Sequence, residues 1–426
     1  MAVQSIDDRR ATAVAILRLL FGRDFARTFD IQLWDGTKIE AEEPARFTLL
    51  INGPEALRAA LLPPDEVSAG RAFVNGLLDC EGDLEAAVGV LHAAFDAFHP
   101  RALPALLTLL LRLPKPPSAD HAGEARLSGR KHSLERDRAA IGFHYDQPIA
   151  FYRSFLDREL VYSCAYFDEH VATLDEAQIA KIDHALRKLR VQAGERLLDI
   201  GCGWGALVVR AAERFGARVL GVTLSQRQYE EANRRIQAAG ITATARVELR
   251  DYRELRREQS FDKIVSIGMF EHVGRSHLPE YFSTAYALLR PGGLFLNHGI
   301  AARRSGRRTK THAGFVERFV FPDGELVPIG EALQIAEHSG FEVRDVENLR
   351  EHYARTLRCW VANLERNRTA AVEAADERTF RVWRLYMAGS AQGFASGRMG
   401  LHQSLLAKPT KSGSVDIPAT RRDLYV

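Results

Sequence analysis

Cysteine is scarce in this 426-residue chain: Cys80, Cys164, Cys202 and Cys359 are all there are. They form no C-x-x-C pair and sit at no metal-ligand spacing, which argues against a disulfide framework and against structural zinc. Long apolar runs are missing too. A membrane-spanning helix needs ~18 apolar residues, whereas the longest candidate, Leu103 to Leu111, is short and set among Pro100, Pro104 and Pro114. Asp7 and Asp8 precede any apolar segment, unlike a secretory signal. A reduced, cytoplasmic protein is expected. Net charge is only +3, and the basic patches lack both interleaved aromatics and any RNA-binding signature, so no nucleic-acid partner is expected.

The length exceeds one ordinary domain, and 46% hydrophobic residues suffice for a core. Residues 1–115 read as one unit, with a helix over Ala11 to Leu20. Phe29 to Phe47 holds two strand-like runs around Trp34-Asp35-Gly36, and Leu57 to Leu111 reads as largely helical. Pro114-Lys115-Pro116-Pro117-Ser118 opens a polar linker over 116–138. In 139–426 strands alternate with helices. Strands are expected over Arg196–Ile200, Arg218–Thr223, Arg246–Arg250, Lys263–Ile267, Leu294–His298, Glu342–Glu347 and Leu401–Ala407. A helix over Ser225–Ala239 places Tyr229, Ala232 and Ile236 on one face. Such alternation predicts an α/β fold, a doubly wound and mostly parallel sheet with helices on both faces. Ligands of such sheets sit beyond the carboxyl ends of the strands, where Gly201, Thr223, Asp251 and Glu271 fall.

Leu197-Leu198-Asp199-Ile200-Gly201-Cys202-Gly203-Trp204-Gly205 reads as a strand breaking into a glycine-rich turn that opens a helix, Ala206 to Phe215. Glycines let backbone approach a ligand, and the helix start offers free N–H groups. The spacing is G-x-G-x-G with Asp199 ahead of it, not the dinucleotide G-x-G-x-x-G followed by an acid about 20 residues on. The next strand ends in Thr223-Leu224-Ser225-Gln226, with no carboxylate. A tight strand-to-helix turn without a ligand is the alternative reading. Arg303-Arg304-Ser305-Gly306-Arg307-Arg308-Thr309-Lys310 puts five cations in eight residues, and Gly129-Arg130-Lys131-His132 is a smaller patch. Each is either a solvated loop or an attraction to anionic headgroups, worth about 1 kcal/mol per cation.

D-x-G-x-G-x-G after a strand resembles motif I of the class I S-adenosylmethionine methyltransferases. His144-Tyr145-Asp146, Val161-Tyr162-Ser163-Cys164-Ala165-Tyr166-Phe167, Thr223-Leu224-Ser225-Gln226-Arg227-Gln228 and Gly268-Met269-Phe270-Glu271-His272-Val273-Gly274 narrow this further. In that order they resemble the cyclopropane-fatty-acyl-phospholipid synthases and mycolic acid cyclopropane synthases. The likeness runs from about His144 to the C-terminus. It extends more weakly to Gly70–Gly76 and Glu81–Leu84, which resemble the small N-terminal domain of the bacterial synthases. It implies a seven-stranded Rossmann-like methyltransferase domain with a final hairpin, behind a smaller, mainly helical N-terminal lipid-binding or accessory domain.

The resemblance implies methylene transfer from S-adenosylmethionine to the cis double bond of an unsaturated phospholipid acyl chain, closing a cyclopropane ring through a carbocation. C-methylation without ring closure, giving a methyl- or methylene-branched chain, is the alternative. Peripheral association with the inner face of the membrane and a homodimer are the partners implied. For the methyl donor it implies contacts from Tyr162, Ser163, Asp199, Gly201, Gly203, Thr223, Leu224, Gln228, Tyr252 and Arg253, with Asp251 beside the adenine. Asp251 as a strand-end cap and Leu224 as core are the plainer readings. A bound bicarbonate would take the proton, held by Cys164, Glu271, His298, Tyr353 and the backbone at Ile300. Tyr145, Tyr162, Tyr166, Phe167 and Phe270 would offer aromatic faces to the cations. Two departures stand out: Gln147-Pro148-Ile149-Ala150 after the His-Tyr-Asp motif, and Ser390 where many relatives carry cysteine.

Overall fold

In the computed structural model, residues 5–22, 28–117, 121, 123–255, 260–303, 314–415 and 417–424 are described. The chain forms two compact units. The first comprises Met1–Glu124, His312–Val320 and Asp376–Gln392; the second comprises Ala125–Thr311, Phe321–Ala375 and Gly393–Val426.

In the first unit β1 (Asp30–Leu33), β2 (Lys38–Ile39), β3 (Phe47–Ile51) and β4 (Leu78–Gly82) form a sheet in the order β2-β1-β3-β4. Asp35 shapes the β1–β2 turn by accepting from Thr37 N at 3.0 Å, and Gly36 supplies its φ of +85°. The stretch read as helical up to Leu111 is thus interrupted by β4. Asp79, Glu81 and Gly82 disfavour a strand locally, and antiparallel pairing with β3 forms one. Two distant segments also join this unit, so the boundaries 1–115 and 139–426 do not hold as single cuts. Arg381, far along the chain, donates to Phe73 O, Leu78 O and Asp79 at 2.8 Å each, and Phe315 packs against Gly70. The expected linker shortens as well. A helix starts at Leu134, capped by the Ser133 hydroxyl, so Leu134–Arg138 are helical.

The second unit holds β5 (Arg196–Ile200), β6 (Arg218–Thr223), β7 (Ala245–Leu249), β8 (Phe261–Ile267), β9 (Leu289–Ala302), β10 (Val327–Pro328), β11 (Glu342–Asn348) and β12 (Met399–Ala407). Their order is β11-β12-β9-β8-β5-β6-β7, with β10 beside β9. Pairing is parallel from β7 to β9 and antiparallel at β9–β12 and β12–β11. The antiparallel end is not a tight hairpin: helices Arg350–Arg366, Arg368–Ala374 and Glu377–Ala395 intervene between β11 and β12.

Both faces of the sheet are covered. Leu197, Val219, Val265 and Leu296 pack into one apolar cluster, and Leu198, Leu220, Ile264 and Phe295 into another. That explains the continuous apolar strands. The chain leaves β5 toward β6 and β7 and returns to its other side at β8. The switch places a crevice at the carboxyl end of β5.

Candidate active site

Each loop at that crevice is shaped by its own residues. After β5 the backbone turns through Gly201 (φ +80°), Gly203 (+54°) and Gly205 (+84°), a region costly for L side chains. A Cβ on Gly205 would lie 2.9 Å from that of Ala232, so this glycine also lets helix Gln226–Ala238 pack against the turn. Nothing lies within 4 Å of where a Gly203 Cβ would stand. After β6, Ser225 caps helix Gln226–Ala238 by accepting from Gln228 N. Thr223 Oγ1 donates to Gln228 Oε1 at 2.8 Å, which leaves the Gln228 amide group as a donor. After β7, Asp251 does cap a short turn, as its plainer reading has it, but it does more. Arg253 grips both its carboxylate oxygens, at 2.9 and 2.7 Å, and reaches Asp137 at 2.8 Å. Burial opposes the Arg253 charge, but Asp251 and Asp137 outweigh it and raise the pKa. The guanidinium also lies over the Tyr252 ring, fixing that ring at the crevice wall.

These loops enclose a cleft open to solvent at its mouth. All ten positions expected to contact the methyl donor line it, as does Asp251. Asp199 is 3% exposed. Burial pushes its carboxyl up to about 7, against the pull of Lys181.

The five positions expected around a proton acceptor lie outside that lining but are joined to one another. Glu271 Oε1 accepts from Ile300 N at 2.7 Å. His298 stands two residues earlier on β9, and its Nδ1 meets Gln403 Nε2 at 3.1 Å. Because that amide nitrogen is a donor, neutral His298 carries its proton on Nε2. Burial keeps the ring neutral, with Lys181 and Lys188 adding to the effect. Cys164 donates to Ala165 O and Leu349 O. Leu349 O accepts from Tyr353 N, and Leu349 N donates to Leu401 O, across β12 from Ile300. Burial raises the Cys164 thiol, which stays protonated as a wall group, and pushes Glu271 up to about 7. Within this group of five, Glu271 Oε2 and His298 Nε2 are buried without a hydrogen-bond partner among the described residues.

Tyr145 and Tyr162 line the cleft, and Trp204, read from the sequence only as part of the glycine-rich turn, joins them. Tyr162 stacks on Trp360 at 5.1 Å, and Tyr353 meets the other side of this aromatic chain at 6.0 Å. Tyr166, Phe167 and Phe270 do not reach the cleft. Tyr166 stacks between His184 and His352, Phe167 lies under Arg355, and Phe270 belongs to the apolar cluster with Tyr281. Sequence reasoning also missed Gln178 and Lys181. Both sit on helix Leu174–Lys188, whose buried residues also include the polar His184 and Lys188, so no local signal sets them apart.

The sequence pattern of the mycolic acid cyclopropane synthetase family matches residues 132–404. A Pseudomonas putida protein described as a probable fatty acid methyltransferase is 41% identical over 397 residues, 93% of this chain and 95% of its own. The tuberculostearic acid methyltransferase of Mycobacterium tuberculosis is 33% identical over 387 residues, 88% of this chain and 86% of its own. A crystal structure of a mycolic acid cyclopropane synthase complexed with S-adenosylhomocysteine superimposes with a TM-score of 0.60 at 37% identity, covering 63% of this chain and 97% of that one. The chain belongs to the mycolic acid cyclopropane synthetase family of lipid-modifying, S-adenosylmethionine-dependent methyltransferases.

Proposed function

We propose that the chain transfers the methyl carbon of S-adenosylmethionine to the cis double bond of an unsaturated phospholipid acyl chain and closes a cyclopropane ring. The π electrons attack the methyl carbon and the C–S bond breaks, its electron pair going to sulfur to leave S-adenosylhomocysteine. A carbocation remains on the chain. Loss of a proton from the new methyl lets its C–H pair form the second ring bond.

The observation that carries this reading is the pair of unsatisfied buried atoms, Glu271 Oε2 and His298 Nε2. Burying such groups unpaired costs about 1–3 kcal/mol each, so their arrangement fits a small polar species between them. A bicarbonate ion fits the donor set: His298 Nε2–H would donate to an oxygen, and Glu271 Oε2 would accept from the hydroxyl. Bound there, bicarbonate supplies a proton acceptor for ring closure. The backbone at Ile300 would also act through Glu271, to which its N–H donates. The protonated Cys164 thiol and the Tyr162–Trp360–Tyr353 rings keep the surroundings free of competing nucleophiles and shield a cation from water.

A second reading, C-methylation without ring closure, is favoured by the names of relatives that match most of the chain, one described as a probable fatty acid methyltransferase and one as a tuberculostearic acid methyltransferase. A trideuteromethyl donor with unsaturated phospholipid vesicles separates the two. Ring closure predicts two retained deuteriums, no remaining alkene and ring protons in the NMR spectrum. A methyl branch retaining three deuteriums, or an olefinic CD2 group, would overturn ring closure in favour of the second reading.

A further inference from the structure

Beneath the cleft lies a lysine that neither the family motifs nor the proposed chemistry uses. Lys181 is 2% exposed, lines the cleft and donates to Ser163 Oγ at 3.0 Å. Its neighbour on the same helix, Gln178, donates to Val161 O at 3.1 Å and Ser163 O at 2.8 Å. Helix Leu174–Lys188 therefore holds the Val161–Ser163 segment by backbone and by side chain at once. A buried ammonium is costly unless paired, and the carboxyl groups that act on this one are Asp157 and Asp199. Asp157 is itself committed to its own turn, accepting from Val161 N at 3.0 Å and Glu159 N at 2.9 Å. Burial lowers Lys181 only to about 8, so it remains cationic at neutral pH. His298 also senses its charge.

The methyl donor carries an amino-acid tail with one ammonium and one carboxylate. A site that selects such a tail must present one charge of each sign. Asp199 presents the negative one, with no hydrogen bond to its carboxylate from the described residues. We propose that Lys181 is the positioning residue for the other half: through the Ser163 hydroxyl it orients and charges the spot that receives the donor's α-carboxylate, opposite Asp199. The family has glycine, acid and hydroxyl motifs for the donor; this assignment adds a buried cation that makes the cleft selective for the zwitterionic tail over a bare thioether nucleoside. It rests on the cleft being the donor site and is independent of ring closure.

Two probes separate this role from a merely structural one. S-adenosylhomocysteine carries the tail, whereas 5′-methylthioadenosine keeps the nucleoside and thioether and lacks it. Lys181→Met is expected to weaken S-adenosylhomocysteine roughly 10- to 100-fold, the range for a hydrogen bond involving a charged group. Binding of 5′-methylthioadenosine should stay within about threefold, a limit well inside the tenfold that 1.4 kcal/mol represents. Ser163→Ala, which keeps the charge and removes the hydroxyl, should show the same selective loss, and it answers the question if Lys181→Met does not fold. In the double variant the two losses should not add. Unchanged affinity for both probes, or equal loss of both, would overturn the assignment. Failure of the unaltered chain to bind S-adenosylhomocysteine would instead remove the donor-site reading on which it rests.

Discussion

Asp199 and Glu271 are ordinary carboxyls in unusual surroundings, and both are pushed up to about 7 by burial. A carboxyl raised in the folded state binds protons that the unfolded chain has already released. Between its ordinary pKa near 4 and about 7, stability therefore falls as pH rises, and above about 7 the full penalty is present. Asp199→Asn and Glu271→Gln should each raise the melting temperature of the ligand-free protein at pH 8. A gain of about 2–4 °C corresponds to ~1 kcal/mol relieved, and it should disappear near pH 4. Calorimetric melts at both pH values check this; a lower Tm at pH 8 would show that the carboxylates are satisfied in the fold. The two variants should diverge in function. Asp199→Asn loses the partner for the donor's ammonium and should abolish S-adenosylmethionine binding in a titration. Glu271→Gln should bind the donor within a few-fold of normal yet lose roughly 100-fold in product formation, the scale of a ~1 Å misplacement of a reacting group.

The turn between β5 and helix Ala206–Phe215 was legible because its causes are local: an apolar run, then glycines at positive φ, then a helix. Helix Gln226–Ala238 was legible for the same reason, from its Tyr229, Ala232 and Ile236 face. Gly205 joins the two. Its φ is +84° and its missing Cβ is where Ala232 sits, so Gly205→Ala should cost about 1–3 kcal/mol by overpacking and weaken donor binding in step. A stable, tight-binding Gly205→Ala protein would show that the helix can withdraw from the turn. What stayed hidden was set by partners far away in sequence. β4 exists because β3 pairs with it, Gln403 fixes the His298 tautomer from β12, and Lys181 reaches Ser163 from another helix. Tyr166, Phe167 and Phe270 adjoin the right motifs in sequence, but their side chains are taken by His352, Arg355 and the Tyr281 cluster. Motif adjacency does not fix side-chain direction.

At the scale of the whole molecule, no helix among the described residues is long and apolar enough to cross a membrane. Of the five cations between Arg303 and Lys310, only Arg303 lies within the described residues, and the prediction for this stretch rests on its charge alone. Replacing all five with Ser or Gln should remove most binding to anionic vesicles at low salt. Raising salt should do the same to the unaltered protein, because exposed charges are screened over ~8 Å at physiological ionic strength. Sedimentation with vesicles reads this out, and undiminished binding of the variant would contradict it. The central claim concerns the product, and the most direct measurement is the lipid composition of a heterologous host making unsaturated phospholipids and expressing this chain. The account predicts phospholipid acyl chains that each gain one CH2, lose their double bond and show cyclopropane protons in the NMR spectrum, with none in a host expressing Glu271→Gln. Unchanged acyl chains, or chains bearing a methyl or methylene branch in place of the ring, would contradict it.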